Sequence, residues 1–227
     1  MDRRLEKYLF ASQSHYDHGE YKEAIENLKI AIELNPELAE SYYNLGYIYD
    51  KLDKYEEAVY NLKKAISLNN EYIEAYNLLA SIYSLITREY NKAEETYLKL
   101  ISIDSNHFDS YKNLSDIYFK QGEYDKSIEI LNKALLLDTQ NPQVYTNLGN
   151  AYEFKSIFDK AEKFYKKAIE LNPGFVGAYA SLGRLYLNNK KYEQAIENCK
   201  KAIELYPGCE DARDFLEQAQ KALKNQQ

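Results

Sequence analysis

Apolar positions recur along this chain at two periods, one nested inside the other. The short period is helical. Tyr42, Leu45, Gly46 and Tyr49 follow the i, i+3, i+4, i+7 spacing of an amphipathic helix. The long period is 34 residues: Tyr8, Tyr42, Tyr76, Tyr111, Tyr145 and Tyr179 stand 34, 34, 35, 34 and 34 residues apart. A stripe that returns at a fixed interval marks one structural unit repeated. Such units stack into an open array, because each can bury its apolar face only on its neighbour.

Counted from three residues before each tyrosine, six units run 5–38, 39–72, 73–107, 108–141, 142–175 and 176–209. Place seven holds Ala11, Leu45, Leu79, Leu114, Leu148 and Leu182. Place eight is always small (Ser12, Gly46, Ala80, Ser115, Gly149, Gly183), and place eleven is His15, Tyr49, Tyr83, Tyr118, Tyr152 or Tyr186. These places define a first helix. A turn containing Gly19, Asp53, Gly122 or Ser156 follows, residue types that suit turn backbone or cap a helix. A second helix opens on an aromatic such as Tyr21 or Phe158. It carries a small residue three later, such as Ala24 or Ala161, and a larger one four after that, such as Leu28 or Tyr165. Small residues let helix axes approach while large ones fill the space beside them. Second helices are expected to end near Asn35-Pro36, Asn69-Asn70, Asn172-Pro173 and Tyr206-Pro207, since proline cannot continue a helix. The third unit has one extra residue, which the spacing puts in the turn around Thr87-Arg88-Glu89. Leu100 stands there where other units carry alanine. Residues 210–224, with Phe215, Leu216, Ala219 and Leu223 on one stripe, read as a closing helix, and 225–227 as a frayed tail.

Composition narrows the function classes. Charged residues make up 29% of the chain, and no apolar run approaches the roughly 20 residues that span a bilayer, so no membrane insertion is expected. The start, Met1-Asp2-Arg3-Arg4-Leu5, has no apolar stretch behind it and does not read as a secretory signal. A net charge of −7 without a basic stripe argues against nucleic acid. The two cysteines, Cys199 and Cys209, are too few for a disulfide framework and point to reduced thiols and a cytoplasmic location. Carboxylates such as Glu23 and Glu26 mix with lysines on second helices, the pattern of a solvated face. His15 and His18 flank Asp17, but His15 lies on the core stripe and His18 in a turn, so no metal is assigned. No phosphate loop or nucleophile–base pair is present, and neither cofactor nor enzymatic activity is expected.

The pattern resembles the tetratricopeptide repeat family, whose 34-residue signature runs aromatic, Leu-Gly, Tyr, Ala, apolar, Ala, Pro. The fifth unit reads Tyr145, Leu148-Gly149, Tyr152, Ala161, Tyr165, Ala168 and Pro173, and the second reads Tyr42, Leu45-Gly46, Tyr49, Ala58, Leu62 and Ala65. The resemblance covers 5–209. It implies an all-α fold, a right-handed α-solenoid of six helix-turn-helix repeats, here followed by a C-terminal capping helix. It also implies that places two, five, six, nine, twelve and thirteen of the first helices line a concave groove for a peptide or partner helix. On that reading Tyr16, Tyr43 and Tyr47 face the groove as rigid aromatics of the kind enriched at interfaces. Asn44, Asn113 and Asn147 share place six, where an amide can both donate to and accept from a peptide backbone. Leu78 and Ser181 interrupt that series, and Asn150 and Arg184 complete the candidate set. Family members that grip a terminal carboxylate use basic and amide side chains from successive units. Lys112 and Asn147 come nearest, but Asp116, Gly177 and Ser181 break the set, and Glu6, Glu40, Glu74 and Asp109 make the lining acidic.

The expected function is therefore a non-catalytic adaptor holding a protein or peptide segment in its groove. The alternative is a structural or self-assembly module that works through its convex face or ends, with homo-oligomers as one form.

Overall fold

The computed structural model describes residues 3–225 and contains helices and turns, with no strand among those residues. Met1, Asp2, Gln226 and Gln227, which enter the readings of the N-terminus and the tail, lie outside the described residues. The chain divides after Ser110 into two compact units.

The first unit holds α1 (Arg3–Asp17), α2 (Tyr21–Leu34), α3 (Ala39–Lys51), α4 (Tyr55–Leu68), α5 (Ile73–Ser81) and α6 (Tyr90–Ile103), each packed on the next. The second holds α7 (Phe108–Lys120), whose first turn carries the boundary, then α8 (Tyr124–Leu137), α9 (Pro142–Phe154), α10 (Phe158–Leu171), α11 (Val176–Asn188), α12 (Tyr192–Leu205) and α13 (Glu210–Lys224). From α8 onward each helix packs on its successor, α9 lies against α11, and α11 against α13. Each unit is an all-α solenoid segment. The last helix, α13, occupies beside α11 and α12 the place that the first helix of another repeat would take. It seats Ala212 and Ala219 in the core and leaves its charged residues outside.

The small residues set how closely the helices pack. Ala24, Ala58, Ala93, Ala161 and Ala195 have no exposed surface, and neither do the larger partners Leu28, Leu62, Tyr97, Tyr165 and Cys199 one turn later. A methyl group on Gly149 would sit 2.4 Å from the Tyr165 ring, and one on Gly183 would sit 2.4 Å from Cys199 Sγ. In these two repeats glycine at place eight thus leaves the space that the second-helix side chain fills. A further buried row, Ile48, Ile82, Ile117, Ala151 and Leu185 at place ten, extends the core beyond the stripe visible in the sequence. Tyr76 and Tyr111 of the 34-residue series are buried, whereas Tyr8, Tyr42, Tyr145 and Tyr179 are half-buried. Lysines of the second helices lie over the place-eleven rings, at 5.2 Å for Lys126 on Tyr118 and 4.9 Å for Lys160 on Tyr152.

Two capping devices repeat. At the tip of every hairpin one residue takes the left-handed conformation: Gly19, Asp53, Arg88, Gly122, Ser156 and Lys190 all have φ between 54° and 77°. The next residue donates its N–H to the place-eleven carbonyl, five residues back in every repeat but the third, as in Glu20 to His15 at 2.8 Å and Ile157 to Tyr152 at 2.9 Å, which closes the helix end. Between repeats an Asx turn does the work. Side-chain oxygens of Asn35, Asn69, Asp104, Asp138 and Asn172 accept from the N–H two residues on at 2.9–3.2 Å. Proline follows only some of these residues and is not what ends the second helices.

The extra residue of the third repeat does not lengthen the turn. The connector Thr87-Arg88-Glu89 has three residues, like Leu52-Asp53-Lys54 in the repeat before it. Instead α5 continues as a π-helical turn over Ile82–Ile86, with Thr87 N–H bonded to Ile82 O at 3.1 Å and Glu89 N–H to Tyr83 O at 2.8 Å. Tyr83 stays in the core and Arg88 keeps the left-handed tip, so the surplus is taken up in the helical turn between these two anchors. Leu100 is fully buried.

Candidate functional site

In the first unit the end of α1 and the middle of α3 enclose a pocket of about 190 Å³. Tyr16, Tyr43 and Tyr47 line it with Gln13 and Asn44, over the buried Ser12 and Ile48. Their position follows from the helical stripe. Ser12 and Ile48 point to the core, Ser12 Oγ donating to Ala24 O at 3.1 Å, and the residues one position away along each helix lie on the groove side. The rings form a continuous ribbon. Centroids are 5.8 Å apart for Tyr21–Tyr16 and Tyr16–Tyr47, 6.3 Å for Tyr47–Tyr43 and 5.0 Å for Tyr43–Tyr72. Tyr21 opens α2 and Tyr72 precedes α5, so helix ends fix both ends of the ribbon.

Burial and nearby carboxylates act on the ribbon's tyrosines. The hydrogen bond to Tyr47, followed by burial, pushes the Tyr16 phenol up to about 12, with Asp17 adding to the effect. Burial, then Glu40, pushes Tyr72 up to about 12, and Tyr43 is raised by burial and by Glu74. Burial also raises the Asp50 carboxyl, against the opposing pull of Lys51. Gln13 donates through Nε2 to Asp17 at 2.8 Å, and Lys51 Nζ lies 5.2 Å from the Tyr47 ring centroid.

Four of the candidate residues, Tyr16, Tyr43, Asn44 and Tyr47, thus meet in one pocket. The other four lie in the second unit. Asn113 stands half-buried on α7. Asn147 donates to Asp116 at 3.2 Å and accepts from Gln143 at 2.8 Å. Asn150 and Arg184 come together, but within the protein's own polar network. Arg184 reaches Glu153 at 3.1 and 3.3 Å and Asn150 at 3.1 Å, while Tyr165 OH shares its single proton between Glu153 at 2.7 Å and Asn150 at 2.8 Å. Glu153 is 8% exposed and was no candidate; the pair spans adjacent repeats and holds α9, α10 and α11 together. A second aromatic group, Phe119, Tyr124 and Phe154, has centroids 5.0–5.5 Å apart, beside a smaller pocket of about 60 Å³.

A spacing of 31 residues links these contacts: Tyr16–Tyr47, Asp116–Asn147 and Glu153–Arg184 are each one repeat minus three residues apart. That spacing is readable in the sequence and would have paired Glu153 with Arg184. Phe10 shares place six with Asn44 and is 78% exposed; counting places through the divergent first repeat finds it. The histidines are engaged locally, His15 Nδ1 with Glu20 at 2.5 Å and His18 Nδ1 with Ser14 O at 2.7 Å. Among the described residues no group of three potential metal ligands assembles, and no helix is long and apolar enough to cross a membrane. Cys199 is buried and Cys209 half-buried, both as free thiols.

No curated protein sequence matches the chain. Solved structures do. MamA superposes with a TM-score of 0.70 at 28% identity, over 76% of this chain and 94% of that one. PilW, a type IV pilus biogenesis factor, gives 0.73 at 14% identity over 95% and 100%. YrrB, described as a TPR protein with an unusual peptide-binding site, gives 0.65 at 22% identity over 82% and 96%. Family models described as tetratricopeptide repeat match 39–72, 73–107, 96–129, 142–175 and 176–209, and one described as TPR repeat matches 13–53 and 115–154. With matches running without a break from 13 to 209 over tandem helix hairpins, the chain belongs to the tetratricopeptide repeat family.

Proposed function

We propose that this chain is a non-catalytic adaptor that holds a segment of a partner protein in the groove of its first unit. The tyrosine ribbon carries this reading. Five tyrosines touch in series, three of them, Tyr16, Tyr43 and Tyr47, line an open pocket, and rigid aromatics supply contact area at low conformational cost. Asn44 and Gln13 supply the amide groups that fix an extended backbone. The fold is one in which YrrB is described as binding a peptide, which is consistent with a groove used in this way.

The test is affinity capture of partners by the full chain, by a Tyr43→Ala/Tyr47→Ala variant, and by Gln13→Ala/Asn44→Ala. The second variant leaves the ribbon intact and guards against simple unfolding. Loss of the same partner by both folded variants supports the groove; full retention by both rejects it. The competing reading, a self-assembling module, draws on Leu136, 83% exposed on α8, and Tyr60, 70% exposed on α4. Light scattering over a concentration series separates the two, since a concentration-dependent oligomer favours self-assembly.

A further inference from the structure

The tyrosine pocket combines three properties that together select one kind of side chain. It is small: about 190 Å³, below the roughly 300–1,000 Å³ of small-molecule sites and of the scale of one long side chain. Its walls include three tyrosine rings, whose faces carry negative quadrupole potential and attract cations within about 6 Å of the ring centre. One of these rings already does so, since Lys51 Nζ lies 5.2 Å from the Tyr47 centroid. Its surroundings are acidic. Asp17, Glu40, Asp50 and Glu74 act on the ribbon or stand beside it, against Lys51 as the opposing charge.

Hydrogen bonding sharpens the choice. Gln13 uses its Nε2 to donate to Asp17, which leaves Oε1 as the acceptor of that side chain. Ser12 donates its hydroxyl proton to Ala24 O and retains an accepting oxygen. Acceptors on the wall suit a group that only donates. A guanidinium has five N–H donors in a plane, no acceptor, and a flat face that stacks on tyrosine better than an ammonium does.

Resting on the groove reading above, we infer that the Tyr16–Tyr43–Tyr47 pocket takes an arginine side chain of the bound segment, stacked on the tyrosine faces and donating to Gln13 Oε1. The partner is then a basic segment, steered by the carboxylates around the pocket.

A random peptide library panned on the full chain, with counter-selection on Tyr43→Ala/Tyr47→Ala, tests this. The selected peptides are expected to carry an arginine. Replacing that arginine by citrulline, its neutral isostere, should weaken binding about tenfold in a calorimetric titration, and Glu74→Gln/Asp50→Asn should weaken it severalfold at low salt. Selected peptides without a basic residue, or citrulline peptides that bind equally, overturn the arginine assignment and leave the groove reading standing. Failure to select any peptide that depends on Tyr43 and Tyr47 overturns both.

Discussion

Arg184→Met should destabilise the second unit by about 2–3 kcal/mol. The guanidinium makes two hydrogen bonds to Glu153 and one to Asn150, at 3.1–3.3 Å. Removing one partner of a fully buried ion pair costs about 3–5 kcal/mol, because the other charge is left without compensation. Glu153 meets the burial condition at 8% side-chain exposure, but Arg184 at 32% admits water, and the figure is reduced accordingly. Glu153→Met should cost less, about 1 kcal/mol, since the freed arginine can turn to solvent. The double variant Glu153→Met/Arg184→Met should recover much of the loss, as two apolar side chains replace a desolvated pair. Urea unfolding followed by circular dichroism on all four proteins gives the coupling energy, expected at about 1–2 kcal/mol. An Arg184→Met protein within about 0.5 kcal/mol of the parent, or a coupling energy near zero, refutes the view that this pair binds the fifth and sixth repeats.

Four further outcomes can be checked by thermal or urea unfolding. Lys190→Gly and Ser156→Gly should each stabilise by about 0.5–1 kcal/mol, because both residues hold left-handed backbone that glycine adopts without a Cβ clash; Gly122→Ala should cost about 1 kcal/mol. Ser41→Ala should stabilise by about 1 kcal/mol, since Ser41 Oγ is fully buried and has no hydrogen-bond partner. Gly149→Ala should cost at least about 2 kcal/mol through the clash with Tyr165, and Tyr165→Leu in the same chain should relieve part of it, because the preceding repeat buries a small residue with a Cβ, Ser115, together with a leucine, Leu131. Tyr16 and Tyr72, both raised to about 12 in the fold from an ordinary 10, contribute stability that is complete below pH 10 and is lost as pH climbs from 10 towards 12. Urea midpoints across that range should fall together with the appearance of tyrosinate absorbance, and Tyr16→Phe should flatten the slope.

The helices and their pairing were legible because one period of 34 and one stripe of i, i+3, i+4, i+7 recur with little drift. What the stripe did not reveal was the row at place ten. Ile48, Ile117 and Leu185 lie off the four places of the stripe, and packing between hairpins buries them: Ile48 clusters with Ala24 and Leu28 of the hairpin before it, and Leu185 with Ala161 and Tyr165. The second helices end where the sequence put them, with Asn35, Asn69, Asn172 and Tyr206 as C-caps. Proline is conspicuous in sequence, but the Asx side chains at Asn69, Asp104 and Asp138 make the turn without it. The candidate site was half legible. Tyr16, Tyr43, Asn44 and Tyr47 converge because place twelve of the first repeat faces places five, six and nine of the second. Arg184 carries the same kind of place number yet is engaged by Glu153, and place number alone says nothing of what the neighbouring repeat offers.

The π turn at the end of α5 bears on how such a chain can change over generations. Arrays copied from one ancestral unit gain and lose single residues, and a slip inside a helix would ordinarily rotate everything after it by about 100°. Here the slip is confined between Tyr83 and Arg88, and α6 starts on Tyr90 in the same phase as α4 starts on Tyr55. Length variation is thereby uncoupled from phase. The last turn of the first helix, ahead of the hairpin tip, is where this chain takes up an inserted residue without shifting the phase of the helix that follows.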